Sequence, residues 1–129
     1  MASKDSRKFE RTCHHFIDSA QVPGQKMAQV EGKKLEGKTP IAKVIIVTER
    51  FSCCEYTKFK GTEDPPHAHA DHETFNYLIK GKMKVTIDGR EFVAGPGSYW
   101  VHPAGIVHAN EMIEDCVQLE VKMPPTKTW

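Results

Sequence analysis

The stretch Gly61-Thr-Glu-Asp-Pro-Pro-His67-Ala-His69 decides how this chain is read. On an extended backbone residues i and i+2 point to one face, so His67 and His69 present two imidazoles side by side. Neutral imidazole is the commonest protein ligand for divalent transition metals, and two such rings can converge on one ion. A second stretch answers the first: Gly97-Ser-Tyr-Trp-Val-His102-Pro103-Ala-Gly105-Ile-Val-His108 reads as a strand, a Pro/Gly turn and a third histidine. Between them, residues 74–79 form a strand-like run that ends at Gly81.

Working outward, strands dominate. Ile41-Ala-Lys-Val-Ile-Ile-Val47 is β-branched, and residues 50–59 form a second run. Asp64-Pro65-Pro66 cannot pair as a central strand, so it reads as a rim loop delivering His67 to a cavity mouth. Residues 74–79 and 82–88 are strands, and Asp88-Gly89 is a hairpin turn leading to 90–93. Residues 98–102, 108–112 and 116–121 complete the set. Short strands with evenly spaced turns imply an all-β sandwich or barrel. Residues 1–35 read as a polar, partly flexible lead-in and residues 36–129 as the barrel domain, with 13–17 a possible extra strand.

Together the two histidine stretches resemble the paired motifs of the cupin superfamily. Gly61, His67, His69 and Gly81 match the first motif; Gly97, Pro103, Gly105 and His108 match the second, whose closing asparagine is Met112 here. The resemblance covers residues 61–129 and implies a double-stranded β-helix, the jelly-roll barrel, as a single domain. It also implies one divalent transition metal ion (Zn, Fe, Ni or Mn) held by His67, His69 and His108. The fourth cupin ligand is a carboxylate or amide, and here the pattern departs. Counted back from Gly81, His72-Glu73-Thr74-Phe-Asn-Tyr77-Leu-Ile-Lys-Gly81 is similar to the corresponding run of small uronate-linearising cupins and puts Thr74 in that place, a weak or absent ligand. Counted forward from His69, the position is Glu73, the alternative ligand. Strand neighbours face opposite sides, so the readings exclude each other unless a bulge intervenes.

A site without a carboxylate leaves the ion its full charge and more than one exchangeable position, which suits anionic, bidentate ligands. The tail, with Asp115-Cys-Val-Gln-Leu-Glu-Val121 running into Pro124-Pro125 and Trp129, also resembles the uronate-linearising cupins, whose metal and nearby groups help convert cyclic unsaturated uronates to linear keto forms. The expected function is therefore a metal-dependent enzyme acting on a small anionic substrate such as a sugar acid or keto acid. Two alternatives stand beside it: a three-histidine iron dioxygenase, and a non-catalytic cupin that binds a small molecule. His102 is the local candidate for proton transfer. Asn76, which shares a face with Thr74, and Trp100, which shares one with His102, are candidates for the substrate cavity. His72 reads as a residue of its mouth, its offset of three from His69 placing it on the other face.

With 18 Lys+Arg against 17 Asp+Glu, net +1, charges are balanced and interspersed, so no nucleic-acid or membrane surface is expected. The polar N-terminus is unlike a secretory signal, which points to a cytoplasmic location. Four cysteines (Cys13, Cys53, Cys54, Cys116) match neither a zinc knuckle nor a disulfide scaffold and read as core packing, and the run Cys13-His14-His15 as a surface segment. A jelly roll exposes sheet edges, which cupins commonly cover by pairing; a homodimer is expected, with residues 13–47 supplying much of the interface.

Overall fold

In the computed structural model, which describes residues 7–12 and 15–129, burial alternates along Ser52–Lys58 as strictly as a pleated strand requires. Numbered in chain order, the strands are β1 (Gln25–Lys26), β2 (Gln29–Val30), β3 (Lys33–Lys34), β4 (Ile41–Val47), β5 (Ser52–Lys58), β6 (Glu63–His67), β7 (Glu73–Lys80), β8 (Met83–Ile87), β9 (Arg90–Ala94), β10 (Tyr99–His102), β11 (His108–Met112) and β12 (Cys116–Met123). A six-stranded sheet in the order β1-β4-β5-β12-β7-β10 faces a four-stranded sheet in the order β6-β11-β8-β9, and β2 and β3 form a separate hairpin. All pairings are antiparallel. This is the jelly roll that the strand pattern and the motifs imply.

Two turns show why the chain reverses where it does. Asp88 and Gly89 both have positive φ (49° and 77°), the backbone a two-residue hairpin demands, and they join β8 to β9. Gly81 has φ 96°, and a Cβ placed there would lie 2.1 Å from the Asp115 carbonyl oxygen. Only glycine lets β7 turn into β8 while the Asp115–Cys116 backbone passes this close.

The Asp64-Pro65-Pro66 stretch corrects one expectation. It is not a rim loop but part of β6, paired with β11 through His67↔His108, Asp64↔Asn110 and Glu63↔Glu111, with a register shift between His108 and Asn110. β6 is the outermost strand of its sheet, where prolines are tolerated because one side needs no donors.

Two apolar clusters fill the interior. One joins Met27, Val30 and Leu35 to Ala42, Cys54 and Tyr56, with Phe9 and Trp129 packed against it; the other gathers Leu78, Met83, Val85, Ala94, Met112 and Cys116. Residues of the lead-in thus contribute to the core, and β1 extends the large sheet along β4. Cys53 and Cys54 alternate as strand neighbours must, Cys54 and Cys116 are buried, and these thiols are free. Cys13 and His14 lie outside the described residues. No helix among the described residues is long and apolar enough to cross a membrane.

Candidate metal centre

The cross-strand register explains how the site is assembled. On the inner face of the large sheet, Ser52 of β5, Lys122 of β12, Thr74 of β7 and His102 of β10 form one transverse row. The next row is Cys54, Glu120, Asn76 and Trp100, and the next Tyr56, Gln118 and Leu78. Opposite, on the small sheet, His67 and His108 are direct partners on β6 and β11. His69 follows β6 in the connection to β7 and completes the triangle.

His67, His69 and His108 are all buried, and each offers a nitrogen within 4.8 Å of the others. Their ring centroids are 4.3 Å (67–108), 4.9 Å (67–69) and 4.9 Å (69–108) apart, an almost equilateral set. The hydrogen bonds fix two of the rings for coordination. Nδ1 of His67 lies 2.6 Å from the Pro65 carbonyl oxygen, and Nδ1 of His108 lies 3.1 Å from that of Ile106. A carbonyl can only accept, so each Nδ1 carries the proton and each Nε2 keeps its lone pair, the tautomer metal-bound histidines adopt. Glu31 Oε1 is 3.8 Å from Nδ1 of His69, an acidic neighbour beyond hydrogen-bond length. Burial pushes the pKa of all three histidines down, that of His108 to about 4, so the rings are neutral at pH 7. This donor set fits a divalent transition ion.

Two further histidines stack on the triangle. His102 lies parallel to His108 at 3.6 Å between centroids, and His72 lies on His69 at 4.4 Å. His72, which its sequence offset reads as a residue of the cavity mouth, is 2% exposed, and its Nδ1 meets Asp71 at 2.7 Å. Regular alternation stops before β7 begins at Glu73, so the offset rule has no strand to act on. Nε2 of both His72 and His102 is buried without a partner among the described residues.

Thr74 is buried and Glu73 exposed, so the Glu73 carboxylate points out of the barrel and away from the three histidines. Thr74 Oγ1 is not free: it lies 3.1 Å from His102 Nδ1 and accepts from Asn76 Nδ2 at 3.2 Å, while Gln118 Nε2 donates to Asn76 Oδ1 at 2.7 Å. The partners Asn76 needs inside the barrel are thus supplied by Thr74 on its own strand and by Gln118 on β12. Trp100 shares its row with Asn76 but packs against the second apolar cluster rather than lining the histidine cavity.

That cavity is small, about 30 Å³, with room for roughly one or two water molecules. It is lined by His67, His69, His102 and His108 and by charged groups that the sequence reading left aside. Lys58 and Asp64 form a buried ion pair, to which Asn110 Nδ2 adds a 3.0 Å hydrogen bond on Asp64 Oδ2. Glu120 accepts from Tyr56 OH at 2.7 Å and lies 3.5 Å from Lys122 Nζ, which donates to Thr128 Oγ1 at 2.8 Å. Burial acts to raise the pKa of both acids, but Lys58 outweighs it at Asp64 and Lys122, Tyr56 and Lys58 outweigh it at Glu120, so both carboxyls sit below their ordinary range. The cue was present: counting inward positions along β5 and β12 from buried Cys54 and Cys116 reaches Tyr56, Lys58, Gln118, Glu120 and Lys122. Over the cavity lie the β2–β3 hairpin and the tail, tied by Glu31 N–H to Thr128 O at 2.9 Å.

Comparison with known proteins agrees with this geometry. Residues 59–121 match the family model described as Cupin domain. An uncharacterized protein of Aquifex aeolicus is 29% identical over 76 residues, 59% of this chain, and the match spans 63% of that relative's length. Among solved structures, an RmlC-like cupin from Shewanella frigidimarina superposes with TM-score 0.76 at 18% identity, over 89% of this chain and 95% of that one. KdgF from Halomonas sp. superposes with TM-score 0.65 at 20% identity, over 70% and 87%. A predicted oxalate decarboxylase from Thermotoga maritima gives TM-score 0.74 at 14% identity, over 84% and 97%. With the domain match, the double sheet and three histidines at the motif positions all in agreement, residues 59–121 are a cupin domain.

Proposed function

We propose that this cupin is a metal-dependent enzyme that acts on a small anionic molecule bearing a carboxylate next to a hydroxyl or keto group. The observation that carries this reading is the charge balance of the interior. Lys58 is matched by Asp64 and Lys122 by Glu120, the three histidines are neutral, and the nearest further carboxylate, Glu31 at 3.8 Å from His69, is already paired with Arg7, so a divalent ion among the histidines brings more positive charge than the protein offsets. An anionic ligand restores neutrality.

The bound ion would act as a Lewis acid toward the ligand's oxygen atoms. The chain's own groups do the rest. Glu120 is an ionised carboxylate on the cavity wall, outside the histidine set, and is the residue placed to take a proton, with the Tyr56 hydroxyl already donating to it. His102 also lines the cavity, and Thr74 fixes its ring against His108. The tail and the β2–β3 hairpin limit the entry of bulk water.

The test is direct. Metal-free protein reloaded with Zn, Fe, Ni or Mn is titrated with glycolate, pyruvate and neutral ethylene glycol. Binding of the two acids only in the loaded protein supports the reading; equal binding of the neutral diol, or none by any, counts against it. Oxygen consumption by the iron form would instead favour the dioxygenase alternative.

We further propose a homodimer, on a surface different from the one the sequence suggested. β4 is already flanked within the chain, by β5 on one side and by β1 on the other, with Thr12 bonded to Val47 at its end. The outer face of β7 and β10, in contrast, exposes Phe75, Ile79, Tyr99 and Val101 in register and carries Tyr77 and Leu119 at its centre, without a charge among them. Such a face suits a second copy of itself.

A further inference from the structure

A cavity of about 860 Å³ opens between the free edges of the two sheets, where β9 and β10 do not pair. Its walls are apolar: Val85, Ile87, Phe92, Trp100 and Ile106 dominate. Phe92 is the cross-strand partner of Val85, whose side chain faces the barrel interior, yet Phe92 is 52% exposed because no described residue closes the seam above it. Arg90, partner of Ile87, belongs to the same inward row and makes no ion pair with any described residue. Asp88 lies at the rim beside it.

This groove adjoins the metal centre. Ile87 is the cross-strand partner of His108, and Trp100 precedes His102 by two residues on β10, so the groove lies beside the stacked His102–His108 pair, although neither ring lines it. The histidine cavity is too small for more than the head of a ligand, whereas the groove has the volume of a small-molecule site. We propose that the groove binds the apolar body of an amphipathic carboxylic acid, aromatic or alkyl, with Arg90 pairing the carboxylate. This goes beyond the proposed function and does not rest on it: the groove is a binding site for aryl or alkyl acids in its own right, with the carboxylate at Arg90 and not at the metal.

Calorimetric titration with phenylbutyrate, decanoate, acetate and galacturonate tests it, on metal-free and metal-loaded protein. Phenylbutyrate and decanoate should bind both forms, and acetate and galacturonate should bind the groove weakly or not at all. Arg90→Ala should weaken phenylbutyrate by about tenfold or more, as loss of a charge-assisted pair implies. Asp88→Asn should tighten it, because asparagine keeps the positive φ while removing the opposing charge. Neither position is in the core, so folding is retained, which circular dichroism verifies. Binding that vanishes with the metal, or that ignores both substitutions, overturns the groove assignment. So does galacturonate binding as well as phenylbutyrate. If Phe92→Asp converts a dimer to a monomer by light scattering while no acid binds, a second copy covers the groove and the proposal fails. Failure of the metal reading shows separately, as absent metal with groove binding intact.

Discussion

His102 lies flat against His108, centroids 3.6 Å apart and planes within 10°. One ring belongs to the histidine triangle and the other is held by Thr74, so the position of a triangle imidazole is set through a neighbour that is itself anchored in the opposite sheet. Thr74→Val keeps the shape but leaves His102 Nδ1 and Asn76 Nδ2 without their partner, a cost of about 1–3 kcal/mol. Urea denaturation of the metal-free protein measures it, and an unchanged midpoint would show that the hydrogen-bond chain carries no stability.

Metal content separates the buried triangle from the other histidines. His69→Ala should cut metal per chain strongly in elemental analysis after dialysis, whereas His15→Ala should leave it unchanged, since His15 is exposed and outside the cluster. Equal losses would move the site elsewhere.

The Lys58–Asp64 pair makes the sharpest stability prediction. Asp64→Asn strands a buried ammonium and should cost about 3–5 kcal/mol. The double variant Lys58→Met, Asp64→Leu should recover most of that loss, because no charge is left unpaired. A double variant as unstable as the single one would mean that shape rather than charge is at stake.

Acid should unfold the metal-free protein early. Burial lowers the pKa of His67, His69, His72, His102 and His108 below the ordinary value near 6.5, so protons bind the unfolded chain first. Stability is then unaffected above about pH 7 and falls as pH drops through about 6.5 toward the folded values, about 4 for His108. Asp64 and Glu120, with lowered pKa, add a further loss below about pH 4. Thermal melts at pH 7.5, 6.0 and 5.0 should descend in that order; a flat series would show that the rings are not held neutral.

Gly81→Ala tests the tightest backbone approach. Its Cβ would collide with the Asp115 carbonyl, and φ 96° is hostile to any side chain, so a loss of more than about 2 kcal/mol is expected. The Gly89 turn, with open space around its own Cβ position, should tolerate alanine better.

Much of this is legible in the sequence. The β-branched run 41–47, the Asp88-Gly89 turn and the two spaced histidine motifs were enough for the barrel and the family, because period-two patterning and turn chemistry are local. His72 was misplaced because its segment is not a strand, and the β6 prolines were misread because only the sheet order shows which strands are edges. The charged interior was hidden for a different reason. Lys58, Glu120 and Lys122 are residues that ordinarily face water, and each becomes tolerable inside only through a partner on another strand. The register that supplies those partners is a long-range property.

Pro65 and Pro66 on β6 have an effect beyond delivering His67. An unpartnered strand edge is a template on which a stray chain can add itself, and the edge nearest the histidines is where such growth would deform the triangle first. A backbone poor in N–H donors offers an incoming strand no regular ladder to zip onto. The two rings thus leave that edge a poor template for strand addition.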